Sequence, residues 1–175
     1  SYRSDGAPYP NSDLGSGLRQ VAMLIKADLG LEVAALDKGG WDTHVTQGTT
    51  TGWLASLLDD VAKSLHAFAS DLGSTMKRVT VVVQTEFGRR AYENSALGTD
   101  HGRASCLFVL GGGTRGGKVY GDWPVLADDR LEDGDLRVTT DYRQVLAEVL
   151  DRRLRNPALD RVFPGFAGRP LGIVA

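Results

Sequence analysis

The sequence predicts an α/β fold, a mostly parallel sheet flanked by helices. Three observations predict it. Residues 78–84 hold Val79, Val81, Val82 and Val83, a nearly continuous apolar run of the kind seen in central strands covered on both faces. Residues 53–72 carry Leu54, Leu57, Leu58, Val61, Leu65, Phe68 and Leu72 at helical spacing. A short apolar run before that helix completes the order strand, helix, strand, for which a right-handed crossover between parallel strands is the default.

The elements follow in order. Residues 1–11 are polar with Pro8 and Pro10, and read as an irregular entry. Asp13 is placed to cap a helix running to about Asp28, with Leu18, Val21, Ala22 and Ile25 on one face. Gly30 stops it. Residues 31–36 (Leu-Glu-Val-Ala-Ala-Leu) form the first strand, and a loop rich in Gly, Thr and Gln leads to the long helix, which Gly73 ends. After the valine strand, a loop leads to a strand at 105–110, a turn at 111–117, and an edge strand at 118–120. Residues 121–134 are irregular and acidic, and 136–138 form one more short strand. Asp141 with Gln144 three residues on makes a capping box. It opens a helix to about Leu154 that carries Val145, Leu146, Val149 and Leu150. The tail from Arg155 packs as coil.

A chain of 175 residues is about one domain long. The apolar fraction of 42% and charged fraction of 24% are ordinary for a globular protein. A net charge of -2 gives no electrostatic case for nucleic acid or a membrane surface. No run reaches the roughly 18 apolar residues of a membrane span. The one cysteine, Cys106, excludes an internal disulfide, and its apolar surroundings predict a buried, inert thiol. The gly-rich stretch 111–117 has neither phosphate-loop nor dinucleotide spacing, so it reads as a hairpin connection. A start at Ser1 instead of Met predicts that an upstream segment has been removed, and leaves the compartment unread.

Three islands hold the candidate metal ligands: Gly-Gly-Trp-Asp-Thr-His (39–44), Thr-Glu-Phe-Gly-Arg-Arg (85–90) and Gly-Thr-Asp-His-Gly (98–102). Asp42, His44, Glu86, Asp100 and His101 are carboxylates and imidazoles, the groups that bind divalent cations without redox chemistry. The first two islands are expected to follow strands, where ligands gather beyond the carboxyl ends of an open sheet. Asp42 and His44 stand two apart, so on an extended segment both face one ion. The plainer alternative is a turn-capping Asp42 and a surface His44. Glu86 is either a ligand or general base at the strand's end, or the partner of Arg89 or Arg90. Those arginines either clamp an anionic ester or form a solvated surface pair. Asp100 and His101 can share one ion from a tight loop, or serve two, with Thr99 as a further oxygen. His66, in the long amphipathic helix, reads as a partly exposed structural residue.

Taken together, GGWDTH, the strand into TEFGRR, the ENSALGTDHG loop, GGxxGGKVYGDWP and TTDYR resemble the bacterial domain-of-unknown-function 1501 family, from about Tyr9 to Phe166. Its members resemble, more distantly, the alkaline phosphatase and sulfatase superfamily. That resemblance implies a three-layer α/β/α sandwich, a two-metal site, and hydrolysis of phosphate or sulfate esters. It implies a divalent metal, zinc first, with manganese, magnesium or calcium as alternatives. Asp42 and His44 match the pair that binds one metal, though they stand closer than the superfamily's usual spacing. Glu86 and Phe87 fall where the superfamily has Asp-His, so one ligand is missing. His101 matches a later lone histidine, or Asp100-His101 is itself the Asp-His pair. Arg89 is the residue that would steady the anionic group. No Ser or Thr here matches the nucleophile motif. The resemblance therefore implies the C-terminal part of a longer, exported domain, with self-association or pairing with the missing N-terminal segment. It leaves a non-catalytic, metal- or ligand-binding member of the same fold as the alternative.

Overall fold

A computed structural model describes residues 6–175, and the first five residues of the expected entry segment lie outside it. The chain forms two compact units. One comprises the residues up to Met76 together with Asn94–Thr99; the other comprises Lys77–Glu93 and Asp100–Ala175.

The first unit is a pair of packed helices with a long irregular loop. Helix α1 spans Asp13–Lys26. Its N-cap is Ser12, one residue before the expected Asp13: the Ser12 hydroxyl accepts from Gly15 N at 3.1 Å. Asp13 instead sits in the first turn and Lys26 in the last, each complementing the helix dipole. Helix α2 spans Trp53–Leu72 and ends at Gly73, as its apolar spacing predicts. α1 packs against α2. Leu18 and Ala22 on α1, and Ala67, Phe68 and Leu72 on α2, are the buried core. Burying a side chain the size of Phe68 contributes about 2–3 kcal/mol. Asp71 on α2 is buried too; it accepts from Lys26 Nζ at 2.6 Å and Tyr9 Oη at 2.8 Å.

The expected strand at 31–36 is not formed. The segment joins no sheet among the described residues, and Leu31, Val33 and Leu36 are exposed. Leu36 does cover α1, where the missing side chain of Gly17 leaves it room.

The second unit corrects the predicted sheet. Its strands are β1 (Thr80–Val83), β2 (Gly88–Arg89), β3 (His101–Gly102) and β4 (Phe108–Gly111). They make two antiparallel two-stranded sheets, β1 with β4 and β2 with β3, and no large parallel sheet. The physical reason lies in the connections. A parallel pair needs a long crossover, usually a helix. No helix lies between β1 and β4, so the chain returns antiparallel, pairing Val81 with Leu110 and Val83 with Phe108. The α/β/α sandwich and the alkaline-phosphatase-like architecture are therefore not present among the described residues. All four residues of β1 are only half-buried, as befits a strand with one neighbour. Residues 118–120 and 136–138 form no strands, and Cys106 is exposed instead of buried.

Helix α3 spans Tyr142–Leu154, with Asp141 as the expected N-cap accepting from Arg143 N. Gln144 does not close a box with its side chain; its amide donates to Arg169 O. The tail contains a short helix α4 (Leu159–Val162) and then supplies core: Ile173 and Val174 are buried with Val145. Leu107, Val109, Tyr120, Val149 and Leu171 pack around them. Glu148, buried on α3, accepts from the backbone N–H groups of Leu171, Gly172 and Val174 at 2.7, 2.9 and 2.7 Å. That carboxylate fixes the tail in place.

Candidate metal centre

The loop after residue 37 is tied down before it reaches the candidate ligands. Lys38 Nζ donates to Asp60 Oδ2 on α2 at 2.7 Å, and Trp41 Nε1 donates to Lys38 O at 2.6 Å. The Lys38 hydrogen bond holds the Asp60 carboxyl below its ordinary range, with help from the Ser12 and Ser64 hydroxyls and against the effect of burial. Gly40 adopts a positive φ of 93°, the conformation that favours glycine, so the sharp turn expected at Gly39-Gly40 is made there.

Two tight turns follow. Thr43 N donates to Trp41 O at 2.7 Å and His44 N to Asp42 O at 3.0 Å, each spanning two residues as in γ-turns. A spacing of two predicts Asp42 and His44 on one side of an extended segment. The structure brings them together through turns: His44 Nε2 lies 2.8 Å from Asp42 Oδ1. Between them Thr43 is fully buried and donates to Gln47 Oε1 at 2.8 Å. The Asp42 side chain is 74% exposed and that of His44 33%, so the pair is open to an incoming ion. Asn94 Nδ2 donates to His44 O at 3.0 Å, and Thr99 Oγ1 donates to Gln47 Oε1 at 2.8 Å. Asn94, Gln47 and Thr43 were not singled out from the sequence. The available signal was Asn94 with Gly98 four residues on in the ENSALGTDHG loop, since Asn side chains organise turns by bonding backbone a few residues on.

The other four candidates belong to the second unit. Glu86 is exposed in the bend between β1 and β2. Arg89 lies in β2, half-buried, directly opposite His101 of β3. Arg90 is committed to structure: its guanidinium donates to Asp133 O at 2.8 Å and lies 3.5 Å from Asp135 Oδ1. Asp100 and His101 are exposed, and the Asp100 carbonyl accepts from Arg90 N at 3.0 Å. Phe87, standing where the resemblance leads one to expect a histidine, stacks on the His101 ring with centroids 4.2 Å apart. Nearby, Tyr92 donates to Asp128 Oδ1 at 2.8 Å, a bond that keeps its phenol protonated and raises its pKa. His66 is exposed on α2, far along the chain from either cluster. Among the described residues no helix is long and apolar enough to cross a membrane.

The family described as Protein of unknown function (DUF1501) matches residues 16–174. No curated protein and no solved structure matches the chain.

Proposed function

The chain belongs to the DUF1501 family, and from that premise we propose that it supplies Asp42 and His44 as ligands to the divalent-metal centre of a hydrolase of phosphate or sulfate esters. The observation that carries this reading is the 2.8 Å approach of Asp42 Oδ1 to His44 Nε2 on a loop whose backbone is fixed on both sides. Carboxylate oxygen and imidazole nitrogen are a donor set suited to zinc, each at about 2.0–2.2 Å, which puts two ligand atoms about 3.3 Å apart in a tetrahedral site. The pair needs to open by only about 0.5 Å to accept an ion in place of the shared proton. A divalent ion there supplies Lewis acidity toward an ester oxygen and a nucleophilic water near neutral pH. Arg89 is assigned the role of steadying the anionic group, and Glu86, Asp100 and His101 remain the further candidate ligands.

A second reading has its own observation. The Phe87 ring occupies the place of an expected ligand and packs on His101, which favours a metal- or ligand-binding member of the family that does not turn over substrate. Calorimetric titration with zinc, manganese, magnesium and calcium tests the metal reading, with His44→Ala and His101→Ala as variants. We expect affinity to fall about tenfold or more in His44→Ala. Unchanged binding in both variants overturns the proposal. Metal binding without metal-dependent hydrolysis of phosphate or sulfate esters favours the second reading.

A further inference from the structure

We propose that Asn94 is the positioning residue of the Asp42–His44 pair: its side-chain amide sets where the two ligand atoms stand. The inference rests on the reading of that pair as metal ligands. Every working atom of the Asn94 amide is engaged. Nδ2 donates to His44 O at 3.0 Å, while Oδ1 accepts from Ala96 N at 2.9 Å and Gly98 N at 3.1 Å. The backbone closes the same loop, since Asn94 N donates to Gly98 O at 2.8 Å. Asn94 thus converts residues 94–98 into a rigid clip and attaches that clip to the carbonyl of one ligand residue.

The surrounding fit is as specific. A side chain at Gly98 would place its first carbon 2.2 Å from His44 O, so only glycine lets the clip approach. Beyond His44 the chain is fastened to the clip again: Thr46 N donates to Ala96 O and Gln47 N to Leu97 O, both at 2.9 Å. These bonds hold the neighbours of His44. The Asn94 amide holds the carbonyl of His44 itself. That carbonyl fixes the plane of the peptide leaving His44, and with it the direction from which the imidazole projects. Groups that orient metal ligands from behind typically change affinity by about 10- to 100-fold when lost.

Two variants of the full chain test this. Asn94→Asp keeps an acceptor for Ala96 N and Gly98 N but replaces the donor to His44 O, so the clip survives and one bond is lost. Asn94→Ala removes all three bonds without adding charge. The first readout needs no metal: the side-chain 15N and 13C resonances of His44 at one fixed pH, with His66 as internal control and Asp42→Asn as the reference for a broken pair. We expect both variants to move the His44 resonances toward those of Asp42→Asn and to leave His66 in place. The second readout is zinc affinity, expected to weaken about tenfold or more. His44 resonances unmoved in Asn94→Asp, in a chain that remains folded, overturn the positioning role. Resonances that move in a chain whose unmutated form takes up no zinc uphold the positioning role and overturn the metal reading instead.

Discussion

Asp71 and Glu148 are both helical carboxylates, and each residue is only 3% exposed. They are satisfied in opposite ways. Asp71, in the first unit, meets side chains, among them the Lys26 ammonium, which closes the last turn of α1 onto α2, and the Tyr9 hydroxyl. Glu148, in the second, meets three backbone N–H groups of the C-terminal tail. The difference is one of replaceability. A side-chain pair can be exchanged as a pair for apolar residues of similar volume, often at little cost. Backbone donors cannot be exchanged. Once Leu171, Gly172 and Val174 depend on one carboxylate, the tail's fold depends on the identity of residue 148.

The largest expected effect follows from that dependence. Glu148→Ala leaves three N–H groups without their acceptor, beside the buried cluster of Val145, Ile173 and Val174. At about 1 kcal/mol or more for each stranded donor, the loss is about 3 kcal/mol. Glu148→Gln keeps one acceptor oxygen and loses about half as much. Denaturant unfolding gives the magnitude, and amide hydrogen exchange gives the place: Leu171, Gly172 and Val174 lose protection first. An alanine variant with tail amides as protected as before breaks the comparison.

Asp71 should cost less and should be recoverable. Asp71→Ala takes the carboxylate away from the Lys26 ammonium, but that group keeps 23% of its side chain in contact with solvent, so the penalty is about 2 kcal/mol and not the larger loss of a fully buried pair. The double variant Lys26→Met, Asp71→Leu removes both charges. It is expected within about 1 kcal/mol of the unmutated chain by the same unfolding measurement. A double variant as unstable as Asp71→Ala would show that the pair, like Glu148, has no substitute.

The same division governs what could be read in advance. α2 and α3 were legible to within a residue because helix signals are local: apolar spacing, Asp141 at the cap, Gly73 at the end. The sheet was not legible. Residues 31–36 have strand composition, but a strand exists only where another lies beside it. The direction of β1 against β4 was set by the absence of an intervening helix, a feature of the path and not of either strand. The candidate site divides likewise. Asp42 and His44 could be paired from a spacing of two, although turns and not a strand bring them together. Asn94 and Glu148 left no comparable trace, because their partners are backbone groups 50 residues away in one case and 23 to 26 in the other. A backbone donor or acceptor looks the same at every position in a sequence.

Asp60 offers the smallest effect and the finest test, since a charged donor and neutral donors meet on one carboxylate. It accepts from Lys38 and Ser12, so its folded pKa lies below the ordinary value of 3.8, the Lys38 bond being the chief cause. A carboxyl whose pKa is lower in the folded state binds more protons when unfolded near that pH. Its contribution is therefore complete above about pH 4 and is lost as pH falls through the folded value. The side chains are 24% and 17% exposed, so the contribution is at most about 1 kcal/mol. Lys38→Met should make stability less steeply dependent on pH below about 4 while leaving the Ser12 cap in place. Acid unfolding followed by circular dichroism measures the slope. An unchanged slope in Lys38→Met would mean that the hydroxyls of Ser12 and Ser64 carry the effect, and that even this paired carboxylate is held by neutral donors, as Glu148 is.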